Sequence, residues 1–414
     1  MGLLNELKYR NLIYQTTFKD LKVLDKDKFI FYLGVDPSAD SMTIGNLAVI
    51  ILVKHFINYG HKAFLLVGGA TGQIGDPDGK SKERELTDLN VIKERTNKLS
   101  DQFKKLLDTR EITVVNNNDW IKDLKYIDFL REIGKYVPLR QMVGRDFVQS
   151  RISSEGNGIS YAEFSYSLIQ GYDFYYLFQK YGVNLQLCGA DQWGNSITGV
   201  DLIRRKLNNE VNVLSLPLII NKATGVKFGK TEDGAIWLDP NKTTPTAFYQ
   251  FFINTDDQSL EDFLKIYTFL SKEQIDEILI KHRLNPSLRI GQSKLAFEVT
   301  KFVHGLKMAQ TAQNITEYLT VQRDIKDITS SELELLKKEV KHFKVSKDDS
   351  ILKCLVEVGL AASKGEARRL LNSNAITLNN IKTNKEELDL TLFHNNLAIL
   401  RRGKAFKDSA LLYF

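Results

Sequence analysis

Cysteine is nearly absent from this chain: two residues in 414, Cys188 and Cys354, far apart and in no CxxC pair. The six histidines are nowhere spaced to complete a zinc site. A disulfide framework and a protein-bound zinc are therefore not expected, and a reducing cytoplasm is the expected compartment. Long apolar runs are missing too. The longest, Leu47 to Val53, has seven residues and reads as part of a buried helix, so no membrane partner is expected. The opening MGLLNELKYR carries an acid and lacks a signal-peptide core, so export is not expected. Nor is there a convincing Ser/His/Asp or Cys/His set for nucleophilic catalysis.

What is present is the composition of a folded, water-exposed protein, 43% hydrophobic and 26% charged. Its length implies two or three domains. The net charge of +6 is concentrated late: residues 351–414 hold ten Lys/Arg against six acids. A basic terminal module suggests a polyanionic partner, although a basic surface alone has the same composition.

Apolar runs at Phe29–Val35, Ala63–Val67, Ile112–Val115, Asn184–Cys188 and Leu216–Ile220 read as strands separated by helical intervals. That alternation predicts a Rossmann-type parallel α/β sheet over residues 1–222, with a helical insertion near 116–166. Helical periodicity then dominates 223–320. Residues 321–349 are charged and weakly patterned, the expected linker, and 350–414 form a small α+β module.

Five segments carry chemistry. Tyr32 to Asn46 runs strand, turn, helix. Gly45 at the helix start lets a flat base approach the backbone, and Ser38, Thr43 and Asn46 are short donors nearby. Plain N-capping by Thr43 or Asn46 explains the same residues. Gly68 to Ser81 is a glycine-rich loop after a strand. Its Gly79-Lys80-Ser81 ends like a P-loop, but the required first glycine falls on Ile74, so that motif fails on spacing. Lys80 and Arg84 can reach phosphate from this loop, and Asp76 can hold an ammonium. Tyr166, Gln170 and Asp173 follow i, i+4, i+7, which places a phenol, an amide and a carboxylate on one helix face amid aromatics. A polar outer face has the same spacing. Gln186 to Asn195 follows a strand at its carboxyl end, where Asp191 can pair with ribose hydroxyls, Gly189 permits close approach and Gln192 can hold a carboxylate. Last, Lys227-Phe228-Gly229-Lys230-Thr231 sets two lysines around a glycine, a means of closing positive charge on polyphosphate. A surface lysine loop reads the same by itself.

In order, YLGVDPSADSMTIGN, GGATGQIGDPDGK, YSLIQGYDF, QLCGADQWGN, KFGKT and the later FYQFFINTDD resemble the bacterial-type tyrosyl-tRNA synthetases, class I enzymes, over essentially the whole chain. The resemblance implies tyrosine binding by Tyr32, Asp76, Tyr166, Gln170, Asp173 and Gln192, with Tyr32 and Asp173 bracketing the substrate phenol. It implies ATP over Asp36, Gly45 and Asn46, its ribose at Gly189 and Asp191, and Lys227, Lys230 and Thr231 closing on the phosphates. Ser38, Thr43, Lys80 and Arg84 are expected to assist at the pyrophosphate, with Mg2+ arriving with the nucleotide. The segment around Lys364, Arg368 and Arg369 is similar to an RNA-binding domain first seen in a ribosomal protein, which implies tRNA as partner. A homodimer, joined near residues 116–166, is also implied.

Two departures stand out. The family's four-residue signature usually begins with histidine and often ends with it; here those places hold Thr43 and Asn46. A weaker first step is expected, with the two lysines carrying more of the stabilisation. Thr43 also keeps open a second reading, a catalytically impaired RNA-binding relative. Asn374 stands where the RNA-binding module often has glycine, and asparagine tolerates the left-handed turn expected there.

Overall fold

Short, mostly buried runs of aliphatic and aromatic residues build the central sheet. Its strands are β1 (Gln15–Thr16), β2 (Ile30–Val35), β3 (Lys62–Val67), β4 (Ile112–Asn116), β5 (Leu185–Gly189) and β6 (Asn212–Leu216). They lie in the order β1-β6-β5-β2-β3-β4, all parallel except the edge strand β1. Alternation along β2 covers both faces. Tyr32 joins Phe64, Leu66, Phe174 and Leu177 on one side. Phe31 meets Phe56 of the Ile44–Asn58 helix on the other, ring centroids 5.4 Å apart.

The computed structural model describes the chain apart from residues 1, 78–84, 108–109, 145, 154–157, 232–233, 321–322 and 404–407, and at 141, 146, 147, 230 and 231 only the backbone. It divides into two compact units, Met1–Asp239 with Asp256–Glu277, and Pro240–Thr255 with Ile278–Phe414.

In the first unit the strand order reverses between β2 and β5. That leaves a crevice at their carboxyl ends, the usual ligand position in open α/β sheets. The strand expected at Leu216–Ile220 instead ends at Leu216. Val213, Leu214 and Leu216 are buried, Leu218 and Ile220 are exposed, and Pro217 has no N–H to extend the ladder. The unit also runs past the boundary expected at 222. Phe228 packs on Phe263 and Tyr267, at 4.1 and 5.5 Å between centroids, which ties the lysine segment to the Asp257–Tyr267 helix. Arg10, 1% exposed, donates to the carbonyls of Lys265, Thr268 and Leu270 at 2.6–2.7 Å and closes the end of that helix.

In the second unit, helices Pro245–Ile253, Ile290–His304 and Leu306–Thr320 pack together, the expected helical region. Within the expected linker at 321–349, the described residues 323–349 include a helix and a strand. Thr329 and Glu332 form a capping box that starts the Ser330–Glu339 helix, and Lys341–Lys344 is a strand parallel to Ser409–Tyr413. Leu336 and Val340 share a core with Ile315, Tyr318, Leu319, Leu397, Ile399 and Leu411. The many charges hid these sparse apolar positions. Helices Ile351–Glu357 and Lys364–Asn372 and a five-stranded sheet complete the terminal module. Asn374 adopts φ 51°, the left-handed turn expected of it.

Candidate active site

A cavity of about 380 Å³ opens at the β2/β5 crevice, within the range of small-ligand sites. It gathers residues from all the sequence segments that lie in described structure: Tyr32, Asp36, Ser38, Thr43, Gly45, Asn46, Asp76, Tyr166, Gln170, Asp173, Gly189, Asp191, Gln192 and Lys227. Lys80 and Arg84 lie outside the described residues. For Lys230 and Thr231 the backbone alone is described, pairing with Gly234 and Ala235.

The deep end is built around Asp173, 1% exposed. It sits on the Tyr161–Tyr181 helix, which starts at a Ser160 cap and stops at left-handed Gly182. Asn117 donates to Asp173 Oδ2 at 3.0 Å, and the Trp120 indole donates to Oδ1 at 2.9 Å. Burial pushes the Asp173 carboxyl up to about 7, against the lowering effect of those two donors; the nearby Asp36 charge adds to the rise. Tyr32, also 1% exposed, has a buried hydroxyl with no hydrogen-bond partner among the described residues. A buried unpaired hydroxyl is costly, so a polar group is wanted beside it. Burial and then the Asp173 charge hold the Tyr32 phenol well above its ordinary pKa.

Around this end the side chains hold one another. Tyr166 donates to Asp36 Oδ2 at 2.8 Å, Thr71 donates to Asp36 Oδ1 at 2.6 Å, and Gln192 donates to Asp76 Oδ2 at 2.5 Å. Asp36, expected at the nucleotide, therefore has both carboxylate oxygens engaged by protein. Asn117 also accepts from Ala70 N at 2.7 Å and donates to Thr71 at 3.1 Å, locking the glycine loop to the end of β4. Gly68 cannot carry a side chain here, because a Cβ would lie 2.0 Å from Asp36 Oδ1.

The outer end contains the two signatures. Thr43 N donates to Asn46 Oδ1 at 3.0 Å and the Thr43 hydroxyl to the same oxygen at 3.2 Å, so both residues act as a helix cap as well as cavity lining. Gly229, at φ 102°, packs against this start: a Cβ there would lie 3.3 Å from Gly45 N. Lys227 Nζ lies 3.6 Å from Asp191 Oδ2, a half-exposed pair linking the lysine segment to the expected ribose position. The segment is less free than a swinging loop. Phe228 N donates to Ile219 O at 2.9 Å, Ile220 bridges Lys227, and the Phe228 ring is buried.

Asn117, Trp120 and Thr71 were missed in the sequence. Asn117 and Trp120 sit in the polar run that follows β4, at a carboxyl end of the parallel sheet, and that position was the available signal. In the terminal module Lys364 and Arg369 are exposed, whereas Arg368 is held by Glu386 through contacts of 2.5 and 3.1 Å. Among the described residues no three His, Cys, Asp or Glu cluster as metal ligands, and no helix is long and apolar enough to cross a membrane.

The family model for tRNA synthetases class I (W and Y) matches residues 24–320, and that for the tyrosine–tRNA ligase SYY-like C-terminal domain matches 332–407. Tyrosine–tRNA ligase 2 of Bacillus cereus is 42% identical over 98% of both chains. Tyrosine–tRNA ligase of Streptococcus mutans is 41% identical over the same shares. A C-terminally truncated mitochondrial tyrosyl-tRNA synthetase of Aspergillus nidulans superposes with a TM-score of 0.69 at 30% identity, covering 77% of this chain and 94% of its own. Nothing in these likenesses favours an impaired RNA-binding relative.

Proposed function

The chain belongs to the tyrosine–tRNA ligases, class I aminoacyl-tRNA synthetases that activate tyrosine with ATP and pass it to tRNA, and we propose how its cavity divides that work. The tyrosine phenol lies between Tyr32 and Asp173. Its amino group is taken by Asp76, Tyr166 and Gln170, and its carboxylate faces Gln192. The observation that carries this placement is the buried, unpartnered Tyr32 hydroxyl beside a carboxylate already held by two donors. A phenol O–H completes both groups.

ATP lies over Gly45 and Asn46 with its ribose at Gly189 and Asp191. A Cβ at Gly189 would meet Asp191 Oδ1 at 2.5 Å, so the glycine keeps that carboxylate in place. Asp36 acts here by holding Tyr166 and Thr71. The tyrosine carboxylate attacks the α-phosphorus and pyrophosphate leaves with Mg2+, which is brought by the nucleotide. Lys227, Lys230, Thr231, Ser38 and Thr43 stabilise the charge that gathers on the leaving group, with Lys80 and Arg84 assisting. The terminal ribose hydroxyl of tRNA then attacks the adenylate. Neither step needs a side-chain nucleophile; positioning and preorganised charge supply the catalysis.

Lys364 and Arg369 meet tRNA phosphates, with Arg368 joining them if it leaves Glu386. A homodimer is the proposed assembly. Exposed Tyr126, Ile127, Leu139, Ile152 and Tyr161, all in the helical insertion, support it as an apolar face for a second copy. The cytoplasm is the proposed compartment, on the ground that bacterial translation draws its charged tRNA there. The test is ATP–pyrophosphate exchange with and without tyrosine. Exchange that ignores tyrosine, or prefers phenylalanine, would overturn the placement.

A further inference from the structure

Ser41, 5% exposed, joins three segments through one hydroxyl. It donates to Met42 O at 2.9 Å and accepts from Gln102 Nε2 at 2.8 Å and from Asp239 N at 3.2 Å. Gln102 returns to the same place, its Oε1 accepting from Met42 N at 2.8 Å. From this node Met42 to Ile44 runs beside Ile236 to Leu238. Leu238 N donates to Met42 O at 2.9 Å, Ile44 N donates to Ile236 O at 3.1 Å, and Thr43 bridges Trp237. The first signature is thereby paired to residues 236–238, just beyond the lysine segment.

Gln102 is not alone on its helix, Leu89–Leu106. Arg95 donates to Ser38 O at 3.2 Å, and Lys98 lies 3.4 Å from Asp40 Oδ2. Positions 95, 98 and 102 follow i, i+3, i+7, so one helix face holds the whole approach from Ser38 to Met42. Among the described residues the side chains of the Thr43–Asn46 cap bond only within the cap, so they fix the local turn. They do not set the distance from the first signature to Lys227 and Gly229.

We propose that Ser41 and Gln102 are positioning residues for the ATP step, setting the register between the Thr43–Asn46 signature and the lysine segment. The proposal rests on the ATP placement given above. Neither residue touches the cavity. Their effect passes through the backbone of Met42 and Asp239, so it falls on ATP use and leaves the tyrosine end, held by Asn117 and Trp120, unaltered.

The experiment compares Ser41→Ala, Ser41→Thr and Gln102→Glu with the wild type in ATP–pyrophosphate exchange, beside tyrosine affinity by equilibrium dialysis and thermal melting. Gln102→Glu keeps the acceptor for Met42 N and loses the donor to Ser41. The expected result is a fall of roughly 5- to 20-fold in kcat/KM for ATP in Ser41→Ala and Gln102→Glu, the scale of one or two lost hydrogen bonds. Tyrosine affinity stays within about two-fold, and Ser41→Thr recovers most of the loss. An unchanged kcat/KM for ATP, or equal losses for ATP and tyrosine, would overturn it, since general loosening predicts the latter. Should Ser41→Ala fail to fold, Gln102→Glu, on a half-buried side chain, decides the matter by the same split. A wild type whose exchange ignores tyrosine removes the functional reading itself, an outcome distinct from any difference among the variants.

Discussion

The Trp120 indole N–H meets Asp173 Oδ1 at 2.9 Å, and on its far side the Trp120 ring stacks on Tyr176 with centroids 4.6 Å apart. The donor is thus held by packing, and it orients the carboxylate proposed to read the substrate phenol. Trp120→Phe keeps the stack and removes the N–H. The expected result is a tyrosine KM raised roughly ten-fold, in line with one hydrogen bond to a charged group, and weaker discrimination against phenylalanine. The ratio of kcat/KM for the two amino acids in the exchange assay checks this, and an unaltered ratio counts against it.

Asp173 also predicts a pH dependence. Burial raises its carboxyl to about 7 in the folded chain, against an ordinary value near 4 when unfolded. The folded state therefore holds the proton more tightly. Stability from the protonated group is complete below about pH 4 and is lost as pH rises through about 7. Tyrosine binding runs the other way, because the carboxylate accepts from a phenol. Tyrosine affinity is expected to grow from about pH 6 to about pH 8, and Asp173→Asn to flatten that profile. Titrations of tyrosine binding across this range test it; a flat wild-type curve would falsify it.

Because Thr43 and Asn46 replace the usual histidines, the lysines should matter most. Lys230→Ala is expected to lower tyrosine-dependent exchange ~10²-fold or more, the effect of losing one preorganised donor to developing charge. Near-wild-type exchange in that variant would sink the assignment.

Gly229 has φ 102°, and a Cβ on it would lie 3.3 Å from Gly45 N. Gly229→Ala combines a strained conformation with a tight contact that requires the Gly45 backbone to shift slightly. We expect exchange to fall several-fold while tyrosine affinity stays put. Loss of tyrosine binding in the same variant would mean that the two ends of the cavity are not separable.

Lys364→Glu with Arg369→Glu should weaken tRNA charging, more so at low salt, and leave exchange intact. Equal charging by the variant would remove the terminal module from tRNA binding. Point variants suit this test better than deleting 345–414. That deletion takes away the strand paired with Lys341–Lys344 and uncovers Ile315, Tyr318 and Leu319, so loss of solubility is its expected result.

The sequence by itself determined the strand-and-helix alternation, because apolar period and turn residues are local. It also marked cavity residues on five segments, because most of these motifs stand at a strand end or along a helix face. It identified the turn at Asn374 for the same reason. Only the tertiary structure decided which partners meet across distance. Asn117 and Trp120 reach Asp173 because β4 lies at the edge of the parallel sheet beside β3, which no local pattern encodes. Asp36 meets Tyr166 and Thr71, 130 and 35 residues away, partners that no local pattern names. Within the expected linker, Ser330–Glu339 is helix and Lys341–Lys344 strand, because its few apolar side chains meet a core formed by distant residues. Contacts closed over long loops depend on the whole fold, and the chain's local chemistry only limits which of them are possible.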